Sequence, residues 1–291
     1  MQKVLITGSN GHLGAQAMKR LRTRCDVHAI VRARPATGYP DVTYHEIDLA
    51  TDWSPSPLPS RMDAVIHLAQ SRNYRDFPAS ALDTYQVNTG STARLLDYAS
   101  QAGVTRFVLA STGGLYQPGA SIIDEKTPVN PAQGELAYYF RTKFAAELLA
   151  EPYSTLFDVT VLRPFFIYGP GQSAEKLISR LVESVRHGGV IQLKGEDGLR
   201  INPVYVDDAA EVLLALLETR GSRMLNLAGP DVISIRQIAE MAGQFLGVDP
   251  VFNRSGDQGE MIVADHSAVS ALLGRRMTNF FDGLRSSLNE Q

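Results

Sequence analysis

One cysteine, Cys25, and one tryptophan occur among 291 residues. A single thiol excludes an intrachain disulfide framework and a cysteine-built metal cluster, and it fits a reducing compartment. Cys25 itself reads as a small buried apolar residue, and no metal site is expected. Charge is sparse as well: Asp, Glu, Lys and Arg make up 20% of the chain, with a net charge of −3 and no polybasic tract. Neither nucleic acid nor a membrane surface is therefore an expected partner. Long hydrophobic runs are also missing. The chain passes from Met1-Gln2-Lys3 into an apolar stretch of a few residues, too short for a secretory leader or a membrane span, so a cytoplasmic protein is the expectation. Repeats, low-complexity segments and long linkers are absent from the pattern too.

What is present is apolar residue at 44% of the chain, enough for a sizeable core. It is gathered into short runs suited to buried parallel strands at residues 4–7, 27–31, 42–47, 64–68, 107–110 and 159–162. Stretches with helical spacing lie between them, as at residues 13–21 and 92–102. Strands alternating with helices predict right-handed βαβ units and an α/β fold, a Rossmann-type doubly wound parallel sheet with its site at the carboxyl ends of the strands. After Gly169-Pro170-Gly171 the alternation weakens. Residues 1–168 are expected to form the larger domain, residues 202–222 to return to it, and residues 169–291 to form mainly a smaller substrate-binding lobe.

The first strand runs into Thr7-Gly8-Ser9-Asn10-Gly11-His12-Leu13-Gly14, which opens a helix. That context aims backbone N–H groups and a helix N-terminus at the diphosphate of a dinucleotide. Gly8 would make the tight turn, Gly11 would let the backbone approach the phosphate, and Gly14 would let the helix pack on the strand. Asn10, His12 and Leu13 fill the rest of the loop, and His12 reads equally as a solvated residue. The second strand is followed by Arg32-Ala33-Arg34 where a carboxylate for the ribose hydroxyls is usual. Arg32 and Arg34 suit a 2′-phosphate, so NADP is favoured over NAD. Asp48 and Leu49 would line the adenine, and Leu68 and Ala69 would pass beneath the cofactor. Asn88 is a candidate helix N-cap or a functional residue.

Tyr139 and Lys143 stand four apart, on one face of a helix predicted over residues 137–149. An ammonium beside a phenol favours phenolate and brings the tyrosine toward acid–base use, while the same lysine can hold a ribose. Tyr138 is a competitor that points about a third of a turn away. The strand at 107–110 ends in Ser111-Thr112-Gly113-Gly114-Leu115-Tyr116, exposing hydroxyls at the sheet edge that can bond a substrate carbonyl or alcohol, although Ser and Thr also form turns there.

Together, residues 7–14, the Asp63 to Ala69 run DAVIHLA, Asn88, residues 111–116, residues 139–143, the Arg163 to Gly171 run RPFFIYGPG and the Val204 to Asp208 run VYVDD resemble the extended short-chain dehydrogenase/reductase family, often called NAD-dependent epimerases/dehydratases. The resemblance covers nearly the whole chain. It implies that Thr112 is the catalytic hydroxyl, with Ser111 as the second candidate beside the substrate, that Tyr139 is the acid/base, and that Lys143 is its partner. It places Phe165 and Phe166 near the nicotinamide carboxamide and gives Asp207 and Asp208 a structural role. Many members grip a sugar nucleotide with arginines, for which Arg200 and Arg254 are the matching candidates. A homodimer through the helix carrying Tyr139 and the helix near residues 92–102 is a further expectation.

Three departures shape the functional reading. Gly113-Gly114 stands where sugar 4,6-dehydratases carry Asp-Glu, Phe166 replaces a substrate-contacting Asn, and Arg200 lies one residue further from VYVDD than is usual. The leading expectation is NADPH-dependent reduction of a keto group on a nucleotide-linked sugar. An NAD-dependent 4-epimerase is the nearest alternative. A reductase of a non-sugar carbonyl and a non-catalytic dinucleotide sensor remain open.

Overall fold

The computed structural model describes residues 1–119, 121–132, 134–256 and 259–289. From the N-terminus, β1 (Gln2–Thr7), α1 (His12–Leu21), β2 (Cys25–Val31), β3 (Val42–Glu46) and β4 (Ala64–His67) follow in the expected alternation. The apolar spacing sets these elements: β1 is fully buried from Val4 onward, and α1 buries Gly14, Ala17, Met18 and Leu21, one helical face. Next come α2 (Ala81–Tyr85), a π-helical turn at Gln86–Gly90, and α3 (Ser91–Gln101), then β5 (Arg106–Ala110), α4 (Ala137–Ala150) and β6 (Asp158–Pro164). The chain continues through α5 (Leu177–Arg186), β7 (Val190–Lys194), β8 (Arg200–Ile201), α6 (Val206–Leu216) and β9 (Arg223–Leu227). It finishes with β10 (Ile233–Ser234), α7 (Ile235–Leu246), β11 (Val251–Ser255), β12 (Met261–Ile262), α8 (Ser267–Leu273) and α9 (Phe280–Asn289).

Seven strands form one sheet in the order β3-β2-β1-β4-β5-β6-β9, and every pairing from β3 through β6 is parallel. The order reverses between β1 and β4, the switch point at which a doubly wound sheet opens a crevice beyond its carboxyl ends. Among the described residues no helix is long and apolar enough to cross a membrane.

Two compact units divide the chain. The first comprises Met1–Leu115, Val129–Arg163 and Ala210–Leu225, and its core includes Leu5, Val65, Leu95, Phe107 and Leu109. The second comprises Tyr116–Pro128, Pro164–Ala209 and Asn226–Gln291 and has its own core around Tyr168, Leu193, Ile201, Ile238 and Leu284. Each such buried side chain contributes about 1.5–3 kcal/mol. The second unit contains a three-stranded sheet, β10-β8-β12, and a parallel pair, β11-β7. Its best-delimited helix is α7, where Ser234 and Gln237 form a reciprocal capping box and Gly247, at φ +68°, ends the last turn.

Candidate active site

Two glycines at the turn from β1 to α1 have no room for a side chain. Gly8 has φ +71°, and a Cβ there would stand 2.8 Å from the backbone of Leu68 and Ala69. A Cβ on Gly14 would meet the Gly8 carbonyl oxygen at 2.1 Å. Gly11 closes the turn by donating its N–H to that oxygen at 2.9 Å, and no side chain caps α1. Beside this uncapped N-terminus the Ser9 hydroxyl is buried without a partner. A helix N-terminus without a side-chain cap, close-approach glycines and an unsatisfied hydroxyl suit the diphosphate of a dinucleotide. Asn10 is exposed, and His12 and Leu13 are half-buried in the first turn of α1.

Arg32 and Arg34 are both exposed beyond β2, and the Arg34 guanidinium lies over the Tyr44 ring, 5.5 Å from its centroid. Asp26 is at the other end of that strand, 3.7 Å from His28. Asp48 accepts the Ala50 N–H at 3.0 Å and stays exposed, whereas Leu49 is packed into the core of the first unit.

The ends of β1 and β4 are joined by His67, whose protonation follows from its neighbours. Thr92 and Ser91 each spend their hydroxyl proton on a backbone carbonyl, of Asn88 and Val87, so each can only accept from His67 Nε2. The imidazole is then neutral with its proton on Nε2, and Nδ1 accepts from the Thr7 hydroxyl at 2.6 Å. Thr7 in turn accepts the Ala69 N–H at 3.1 Å. Burial, aided by the Lys143 charge, pushes the His67 pKa down to about 3.

Tyr139 and Lys143 are buried on one face of α4, at 7% and 2% exposure. Lys143 Nζ donates to the Ala110 carbonyl at 2.9 Å, and burial pulls its pKa down to about 8 against the opposing pull of Glu147. Glu147, one turn further on, makes a two-pronged ion pair with Arg163 of β6, with Nε to Oε1 at 3.0 Å, and both side chains are buried. The phenol was expected to be drawn toward ionisation by the lysine. Instead burial holds it well above the ordinary tyrosine range, and the groups that oppose burial are the Thr112 hydroxyl and Arg75. Thr112 accepts the Gly114 N–H at 3.1 Å. Tyr139 donates to Gln70 Oε1 at 3.1 Å, and the Tyr74 ring lies 4.7 Å from its own. Tyr138 is spent on the Ala81 carbonyl, so it does not compete for the catalytic place. Ser111 is buried with its hydroxyl unpartnered. A Cβ on Gly114 would fall 2.4 Å from the tip of the half-buried Phe140 ring, so a side chain there requires that ring to shift.

Asn88 is not a helix N-cap, because the π-helical turn carries the helix past it without a break. Its amide instead accepts the Ser71 N–H at 3.0 Å and donates to the Thr142 hydroxyl at 3.0 Å, and that hydroxyl donates to the Tyr139 carbonyl. Sequence reading also missed Gln70 and Ser71. The one available signal was their place just past the carboxyl end of β4.

Phe166, Arg200 and Arg254 belong to the second unit. Phe166 is the one non-glycine residue with positive φ among those described, at +47°, a conformation costly for a bulky side chain. Its neighbour Phe165 is buried, donates its N–H to Leu227 at 2.9 Å and stacks on Tyr116. The Arg200 side chain is exposed at the start of β8, and Arg254 pairs with Glu196 at 2.7 Å. Asp208 accepts from Thr278 N–H at 2.7 Å and from Arg275, a structural set in line with its expected role.

Residues 4–228 match the model of the NAD dependent epimerase/dehydratase family. A UDP-glucuronate 4-epimerase of Thermodesulfobacterium geofontis is 31% identical, over 64% of this chain and 58% of the relative. A dTDP-D-glucose 4,6-dehydratase of Mus musculus is 29% identical, over 62% of this chain and 51% of the relative. The chain thus spans between half and three-fifths of the length of these curated relatives. The solved structure of MoeE5 in complex with UDP-glucuronic acid and NAD superimposes with a TM-score of 0.82 at 26% identity, covering 99% of this chain and 98% of that one.

Proposed function

Because the chain belongs to the NAD-dependent epimerase/dehydratase family, we infer that it transfers hydride at a keto or hydroxyl carbon of a nucleoside diphosphate sugar, with net reduction of a ketone as the leading reaction. The observation that carries this reading is the buried Tyr139 phenol with the Thr112 hydroxyl acting on it and Lys143 buried one turn along the same helix face. Gly8, Ser9, Gly11 and the start of α1 would hold the dinucleotide diphosphate, and Arg32 and Arg34 would favour the 2′-phosphate of NADP(H) over NAD. The bound dinucleotide supplies the hydride. Tyr139, kept protonated by its burial, is suited to give a proton to the substrate oxygen, and Thr112 orients that oxygen. Lys143, near pKa 8, is suited to replace the proton at neutral pH. Ser111 and Phe166 would contact substrate or nicotinamide. Arg200 and Arg254 would hold the diphosphate of the sugar nucleotide, with Arg254 exchanging Glu196 for phosphate. The exposed Leu148 and Leu149 of α4 support a homodimer through this helix, which light scattering would test.

A second reading, 4-epimerisation, is favoured by the resemblance to a UDP-glucuronate 4-epimerase and to MoeE5 bound to UDP-glucuronic acid and NAD. Elimination of the 4,6-dehydratase kind is disfavoured, because Gly113 and Gly114 supply neither the acid nor the base it needs at these positions. The test is incubation with UDP-, dTDP-, GDP- and CDP-linked sugars and keto-sugars, following NADPH and NADH absorbance and product stereochemistry. Net NADPH consumption, lost in Tyr139→Phe by about 10²–10⁴-fold, supports the reductase. Interconversion of C4 epimers without net consumption supports the epimerase, and binding of no sugar nucleotide overturns both.

A further inference from the structure

We propose that Gln70 is a positioning residue for the acid/base chemistry: its side-chain carbonyl accepts the Tyr139 proton and holds the phenol neutral and aimed until a substrate oxygen takes that place. The proposal rests on the reading of Tyr139 as the acid/base. Tyr139 O–H lies 3.1 Å from Gln70 Oε1. A carboxamide oxygen only accepts, so the one proton of the phenol is the proton in this bond. The carboxamide is an amide analogue of a ketone, so its oxygen occupies the kind of position a keto substrate must reach.

Gln70 is held for this by its neighbours. Ser71 N–H is bound by Asn88 Oδ1 at 3.0 Å and the Ser71 hydroxyl by Asp83. Asn88 also grips Thr142, which bonds the Tyr139 carbonyl at 2.7 Å. The segment that carries Gln70 and the helix that carries Tyr139 are thus tied through one buried amide. The Tyr74 ring packs on the Tyr139 ring, with 4.7 Å between centroids.

A hydrogen bond that only the neutral phenol can donate opposes ionisation. The test is a pH titration of the near-ultraviolet tyrosinate band, taken as the difference between each protein and its Tyr139→Phe counterpart, with NAD(P)⁺ bound. Gln70→Ala should move the Tyr139 midpoint down by about one pH unit, roughly tenfold in the ionisation constant. Gln70→Glu, which adds a negative charge at the same point, should move it up. The alkaline limb of turnover against pH should shift in the same two directions. Coincident midpoints in all three proteins overturn the proposal. If no sugar nucleotide is turned over, the functional reading fails on its own, and the tyrosinate titration still tests Gln70.

Discussion

The two units treat their buried polar groups differently. At the strand ends of the first, Ser9 and Ser111 keep buried hydroxyls that no protein atom satisfies, while in the second Asn202, equally buried, has its amide donating to Gly229 and Ala264 and accepting from Ala264. A buried hydroxyl left unpaired costs about 1–3 kcal/mol, so it persists where something other than stability maintains it. Asn202 is architecture, whereas Ser9 and Ser111 keep hydroxyl bonding capacity unused. The contrast is not perfect, since Trp53 and Arg236 also carry an unpartnered nitrogen away from the strand ends.

The largest effect should come from Asn202→Ala, which strands the Gly229 and Ala264 carbonyls and the Ala264 N–H and should cost about 3 kcal/mol in denaturant unfolding. A loss below about 1 kcal/mol would erase the distinction drawn between the units. Next is acid sensitivity confined to the first unit. His67 titrates near 6.5 when unfolded and near 3 when folded, so the folded state refuses a proton that the unfolded state accepts. Stability is then full above pH 6.5 and falls as pH drops toward 3. Thermal unfolding across that window should show a shallower decline in His67→Gln than in the parent, and parallel declines would contradict the burial argument. Phe166 gives a smaller, oddly signed result: Phe166→Gly should be more stable than Phe166→Ala by about 1 kcal/mol, the reverse of the usual order, because only glycine is at ease at φ +47°. Equal melting temperatures would remove the strain. Smallest is Ser9→Ala, which should leave the free chain as stable or slightly more stable while weakening dinucleotide binding roughly five- to tenfold in a calorimetric titration. Unchanged affinity would make Ser9 an ordinary packing residue.

These positions differ in how far they could be read from the sequence. The glycine turn, the alternating strands and the Tyr139–Lys143 spacing are local patterns set by backbone sterics and helical period, and each lies where it was expected. Gln70 bonds a residue 69 positions away, and Asn88 one 54 away, and no period or motif encodes such pairs. The cap expected at Asn88 failed because a π-helical turn let the helix run through it, freeing the amide for long-range contacts. The phenol of Tyr139 was misjudged for a related reason. Spacing puts an ammonium on the same face, but depth of burial, which dominates the phenol, is a property of the packed fold.

The pair between Glu147 and Arg163 carries a consequence for descent. Each neutralises the other at about 4% side-chain exposure, and breaking such a pair by removing one partner costs about 3–5 kcal/mol, whereas replacing both by apolar residues of matched volume can be neutral. A lineage cannot pass easily through either single change, so the two positions should vary together or not at all among descendants of this chain. Because Glu147 also lifts the Lys143 pKa, any lineage that did exchange the pair would inherit a lysine that loses its proton at lower pH.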